Sequence, residues 1–154
     1  MHNDTPGLGA ERGITRLFAD YAWHIDHGAT PDADAVSMCF APDGRWISDG
    51  LATERVGRES IRALFGASLP EAITQGLHYI TNVRVDLDAE TTERAWATAY
   101  LATFCFPVGD VAAAGPMMIA SSYAAQVEMH DGRWLFSELR ITRQYASAPT
   151  KGWA

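Results

Sequence analysis

At Gly76 the hydrophobic pattern of the chain changes period. Before it apolar residues recur at helical spacing; from it onward they alternate with polar ones, first in a stretch beginning at Gly76 and then over roughly 92–106, 117–130 and 133–143. Alternation of this length belongs to extended strands with two distinct faces. The last two stretches flank Asp131-Gly132, a pair suited to the positive φ angles of a type I′ hairpin. Helices followed by a long antiparallel sheet predict an α+β domain, with the helices on one face of a curved sheet.

In the first half, Ile14, Leu17, Phe18, Tyr21 and Ile25 recur at three, four, seven and eleven residues and draw one apolar stripe on a helix from Ala10. At 100° per residue Asp26 falls beside Ala22 on the border of that stripe, and Trp23 faces away. Gly28 and Pro31 stop the helix. A second short helix is expected over 32–40, a turn at Pro42-Asp43-Gly44, a strand at 45–48, a hairpin at Asp49-Gly50, and a third helix over 58–65 ending near Gly66. Residues 1–9, with Pro6, Gly7 and Gly9, and 146–154, with Trp153 as an anchor, are expected to be flexible arms. Pro107 to Pro116 reads as a mobile connection or flap.

The 154 residues suit a single domain spanning 1–154, 47% hydrophobic, with a formal charge of −7. Scattered acidic excess argues against nucleic acid as a partner. Cys39 and Cys105 sit in apolar sequence and are expected to be buried thiols. No segment approaches the run of about 18 apolar residues that spans a membrane. The start has neither a basic nor an apolar leader segment, so a soluble cytoplasmic protein with no membrane partner is expected.

The strand from Gly76 carries the chemistry. Strict alternation puts His78, Ile80, Asn82 and Arg84 on one face and Leu77, Tyr79, Thr81, Val83 and Val85 on the other. An imidazole oriented by a carboxylate on one ring nitrogen leaves the other free to take a proton, and Asp26 is the candidate carboxylate. Asn82 is placed to orient His78 or a substrate carbonyl. Tyr21, Tyr100 and Tyr123 are candidate donors to a developing enolate, with Tyr21 preferred for its place on the inward stripe. His24, Asp26 and His27 point in divergent directions around one helical turn, so no metal site is expected. On the strand 95–103, small alanines oppose Trp96, Tyr100 and Phe104, which makes both sheet faces apolar and predicts a homodimer or higher homo-oligomer.

Four features in this order, Asp26 after the first amphipathic helix, Gly57-Arg58 before the third, His78-Tyr79-Ile80-Thr81-Asn82, and Asp131-Gly132-Arg133-Trp134, resemble the SnoaL-like branch of the NTF2-like superfamily over residues 12–145. The resemblance implies a cone-shaped fold, a strongly curved mixed or antiparallel sheet with three helices on its concave face around a pocket. It implies that Asp26 and His78 match the catalytic dyad of the superfamily's dehydratases and dehydrochlorinases. It also places Ser121 where a substrate-contacting serine stands. A second active-site histidine found in the dehydratases has no counterpart between Tyr79 and Met129.

The resulting expectation is a small enzyme without cofactor, leaning to a dehydratase-like lyase or an isomerase. Asp26 and His78 would abstract a proton from a small hydrophobic, cyclic molecule, with Tyr21, Asn82, Ser121, Tyr100 and Tyr123 around the substrate. Two other readings remain open: a ligand-binding or assembly subunit, such as the small subunit of a ring-hydroxylating dioxygenase, and an epoxide or lactone hydrolase.

Overall fold

The computed structural model describes residues 6–28, 30–67, 75–106 and 117–147. Helix α1 (Pro6–Asp26) buries the stripe read from the sequence: Ala10, Ile14, Leu17, Phe18, Tyr21 and Ala22 are all buried, while Trp23 is 58% exposed. The helix begins four residues earlier than expected. Proline is favoured at the first helical position, where the amide it lacks would have no partner, so residues 6–9 are helical and not part of a loose arm. A Cβ added at Gly7 would lie 3.9 Å from Leu87 Cδ1, so this extra turn reaches the strand packed alongside it.

Asp32 caps α2 (Ala33–Met38) by accepting the Ala35 N–H at 3.0 Å, and α3 (Arg58–Gly66) follows Gly57. Between them lie β1 (Phe40–Ser48), a 3-10 turn (Asp49–Leu51) and β2 (Thr53–Val56). The expected turn at Pro42-Asp43-Gly44 is instead an irregularity inside β1, where the register against the last strand shifts between Phe40 and Arg45. A side chain at Gly44 would meet the Phe136 carbonyl at 2.8 Å, so glycine is what lets the two strands stay together there.

The second half supplies β3 (Gln75–Leu87), β4 (Arg94–Phe106), β5 (Met117–His130) and β6 (Arg133–Ala146). The six strands form one mixed sheet in the order β2-β1-β6-β5-β4-β3, with β1 parallel to β6 and every other pair antiparallel. Asp131 (φ 48°) and Gly132 (φ 78°) make the tight β5–β6 turn expected of that dipeptide. The sheet thus reaches Ala146, and the Ser147 N–H still bonds the Met118 carbonyl at 2.9 Å. The expected flap at 107–116 and the Trp153 anchor lie outside the described residues.

The helices cover one face of the sheet. Ala95, Ala97, Ala99 and Leu101 of β4, Tyr123, Ala125 and Val127 of β5, and Phe136 and Leu139 of β6 are buried beneath them. Helix α1 comes closest to the sheet at β3 and β6, and larger residues on β5 and β6 fill the space beneath it. The other face is divided. Leu77, Tyr79, Trp96 and Tyr100 are exposed on β3 and β4. Around β1 the surface is charged, with Arg45 bonded to Glu54 at 2.7 Å and to Glu138 at 2.6 Å.

One element departs from simple alternation. The β3–β4 register shifts between Thr81 and Arg84, and Asn82 takes φ 55°, a β-bulge. His78 and Ile80 therefore face the helices before the bulge, and Val83, Val85 and Leu87 face them after it. Asn82 and Arg84 do not continue the His78 face and are exposed.

Among the described residues no helix is long and apolar enough to cross a membrane. Phe18 is 1% exposed and sits at the centre of the core, with its ring 5.1 Å from Phe136 and 5.9 Å from Tyr123. Phe18→Ala should lower unfolding free energy by about 3–5 kcal/mol in a urea titration; a loss under about 1 kcal/mol would mean that the helix is not seated on the sheet as described.

Candidate active site

The last residue of α1 and the fourth of β3 meet although 52 positions separate them in the chain. Asp26 Oδ2 accepts the His78 backbone N–H at 2.6 Å, and Asp26 Oδ1 pairs with the His78 ring at Nδ1 at 2.5 Å. Both acceptor atoms belong to one carboxylate, so backbone and ring of His78 are held together. With Nδ1–H donated to the carboxylate, the neutral imidazole carries its lone pair on Nε2. Nε2 has no hydrogen-bond partner among the described residues. The His78 and Asp26 side chains are 19% and 16% exposed, so the pair is sheltered yet reachable.

Space beside the ring comes from Gly76. A Cβ there would stand 3.7 Å from His78 Cε1 and 3.6 Å from Thr103 Cγ2, so glycine leaves one edge of the imidazole uncovered. Thr103 is directly opposite His78 on β4 and is buried. Neither Gly76 nor Thr103 stood out in the sequence, because their role depends on cross-strand register.

Tyr21 is buried at 1% exposure, one helical turn and a fraction before Asp26. Its hydroxyl accepts the Trp46 Nε1–H at 2.8 Å. Burial raises its pKa well above the usual phenol range; the Trp46 hydrogen bond opposes that rise, and the charges of Cys39 and Asp26 add to it. Tyr123, 2% exposed, is raised by burial first, then by Tyr21 and Asp26. Both phenols therefore stand within electrostatic reach of the Asp26 carboxylate in their protonated, donating form. Trp46 was missed as a site residue: no local pattern links it to a tyrosine 25 positions earlier.

Ser121 is buried on β5, opposite Leu101. Neither its hydroxyl nor that of Tyr123 has a hydrogen-bond partner among the described residues. No side-chain nitrogen or oxygen there is both sealed from solvent and without a partner, so both hydroxyls border open space on the helix-bearing side.

Of the residues expected around the substrate, the fold gathers Tyr21, Ser121 and Tyr123 on the face that bears Asp26 and His78. Two it does not bring there. Asn82 is exposed on the bulge, and Tyr100, 63% exposed, lies on the opposite face of the sheet. Two surface hollows outlined by the described residues, one along α1 and one between α1, α2 and the β5–β6 turn, include neither Asp26 nor His78. Bonding geometry, not hollow size, therefore locates the candidate chemistry. Trp23 and His27 stack on each other at 4.0 Å, away from Asp26. Burial pushes the Cys39 thiol up to about 12 and raises Cys105 as well, as expected of inert core thiols.

This α+β arrangement, three helices on a six-stranded mixed sheet, is shared with solved structures. A type 2 hexachlorocyclohexane dehydrochlorinase, LinA, superposes with a TM-score of 0.80 at 20% identity, covering 96% of this chain and 94% of that one. LinA-type3 from Novosphingobium barchaimii gives 0.77 at 20% identity, covering 95% and 94%. A scytalone dehydratase-like protein from Novosphingobium aromaticivorans gives 0.78 at 15% identity, covering 96% and 92%. No curated protein matches the sequence. Residues 7–140 match the model of the SnoaL-like domain, and the chain belongs to that family, with an NTF2-like fold.

The buried phenols can be tested spectroscopically. Removing either in Tyr21→Phe or Tyr123→Phe should leave the phenolate absorbance formed up to about pH 11 unchanged, because neither group ionises at the ordinary value near 10 while folded. Since the folded pKa is the raised one, their contribution to stability is intact below about pH 10 and falls as pH rises past that value. A loss of phenolate amplitude in either variant would mean that the hydroxyl is solvated.

Proposed function

We propose that the protein abstracts a proton from a small hydrophobic substrate, with His78 Nε2 as general base and Asp26 as its orienting carboxylate. The observation that carries this reading is the double engagement of Asp26 with the His78 amide and ring, which leaves Nε2 as the unengaged atom of the pair. A base that takes a proton becomes an imidazolium, and the adjacent carboxylate stabilises the charge as it forms. The electrons released need an acceptor. Tyr21 and Tyr123 supply phenolic O–H groups on the same side of the sheet, with Ser121 beyond them, so a substrate carbonyl oxygen becoming an enolate would find donors.

Trp46 matters to that step. An indole N–H can only donate, so the Tyr21 oxygen is fixed as acceptor on that side and its own proton points elsewhere. The substrate class that fits is an apolar molecule bearing an enolisable carbonyl, followed by elimination or isomerisation. The solved structures described as dehydrochlorinase and scytalone dehydratase-like support a lyase, and one described as an aromatic ring hydroxylase is what favours the assembly-subunit reading.

The assay is deuterium uptake in heavy water at the α-carbon of cyclic ketones chosen by a thermal-shift screen. His78→Ala and Asp26→Asn should each reduce exchange by about a hundredfold or more, while Tyr21→Phe should give a smaller loss with the fold intact. Full exchange in both dyad variants, folded by circular dichroism, would overturn the reading.

We further propose that a second copy of the chain covers the exposed outer face of β3 and β4. Its aromatic residues, Tyr79, Trp96 and Tyr100, form an exposed apolar patch, and the charged surface around Arg45 and Glu138 lies farther along the same face, beyond β5. Sedimentation should report an oligomer that Trp96→Arg converts to monomer; a monomeric wild-type chain would overturn this assembly.

A further inference from the structure

A second cleft lies away from the dyad, between α1, α2 and the β5–β6 turn, with a volume of about 360 Å³. Its walls come from Gly132, Arg133 and Trp134 at the β5–β6 turn and from the α1 face bearing Gly13, Arg16, Leu17, Asp20 and His24. None of these residues takes part in the chemistry proposed for Asp26 and His78.

The cleft is rich in donors. Trp134 is 8% exposed, and its indole N–H has no hydrogen-bond partner among the described residues. Because no side-chain nitrogen there is both sealed and unpartnered, that N–H is open to solvent. Its direction follows from Gly13, where an added Cβ would stand 2.6 Å from Trp134 Cδ1 and 3.2 Å from Nε1. The N–H edge of the indole thus lies over a cleft-wall residue.

The other groups specify the ligand's charge. Arg133 is exposed at the cleft and makes no ion pair among the described residues. Its charge reaches Cys39 in the cleft wall, where it lowers the thiol's pKa against the larger raising effects of burial and of Asp20. His24 adds another ring nitrogen without a partner. The one carboxylate, Asp20, is already taken by Arg16 at 2.7 Å. Leu17 and Met38 provide apolar wall. A cationic, donor-lined hollow in a chain of net charge −7 is a local reversal of the molecule's overall sign.

We propose that this cleft is a second binding site, separate from the dyad, for a small aromatic carboxylate. Its carboxylate lies between the Arg133 guanidinium and the Trp134 N–H, and its ring packs on Leu17 and Met38. Arginine suits this task because its planar fork matches a carboxylate's two oxygens.

Benzoate is the probe and benzyl alcohol its uncharged counterpart, each titrated into the full-length, nitrogen-15-labelled protein while the Trp134 indole N–H resonance is followed. Benzoate should give a saturable shift below about 10 mM, benzyl alcohol none, and Arg133→Gln should weaken benzoate by about tenfold. Arg133 is exposed, so this variant is expected to fold normally, and its unchanged amide spectrum is the check. Asp26→Asn should leave the titration unaltered, whatever it does to catalysis. Absence of a saturable shift, equal response to benzyl alcohol, undiminished binding in Arg133→Gln, or loss of binding in Asp26→Asn would each overturn the proposal.

Discussion

One carboxylate joins the two halves of this protein. Asp26 is the final residue of α1, and it bonds both the amide and the ring of a residue on β3, the edge strand of the sheet. Partial burial of a carboxylate costs several kcal/mol unless hydrogen bonds replace its water. Two charge-assisted bonds, worth about 1.5–3 kcal/mol each, offset that cost and fix where the helix ends relative to the strand. The position of Tyr21 follows, since the same helix carries it about one turn earlier. So does the tautomer of His78. The core beneath, with Phe18 against Tyr123 and Phe136, keeps the helix from sliding and so holds the two bonds in register.

Helix α1 serves two regions with two of its faces. Ile14, Phe18 and Tyr21 look toward the sheet and lead to Asp26; Gly13, Leu17, Asp20 and His24 look toward α2 and the β5–β6 turn. Leu17 lies on the border of both. About one residue per turn on one side and a shifted set on the other are what a 3.6-residue repeat allows, and a strand of the same length would offer only two faces fixed by parity.

Much of this was legible in the chain itself. The stripe on α1, the change of period near Gly76, the positive-φ turn at Asp131-Gly132 and the inward leaning of Asp26 all follow from local spacing, and local spacing survives folding. Three features did not follow from it. Pro42-Asp43-Gly44 has turn composition, yet the Gly44 backbone is close enough to Phe136 for β1 to continue through it. Asn82 shares sequence parity with His78, but a bulge breaks that parity. Tyr100 has a suitable hydroxyl on a suitable strand; which face the helices cover is a tertiary decision, and they cover the alanines. The Trp46–Tyr21 bond is of the same kind, joining residues that only packing brings together.

The bulge at Asn82 has a bearing on what lengths of β3 are permitted. Two sets of residues, His78 with Ile80 and Val83 with Val85 and Leu87, must face the helices, and an odd number of positions separates the sets. Regular alternation cannot satisfy both; the extra residue does. Deleting one residue there would turn either the imidazole or the apolar half of the strand to the opposite face. Insertion of a second would do the same. The strand is therefore closed to single-residue changes of length at this point, and sequence drift in it is confined to substitution.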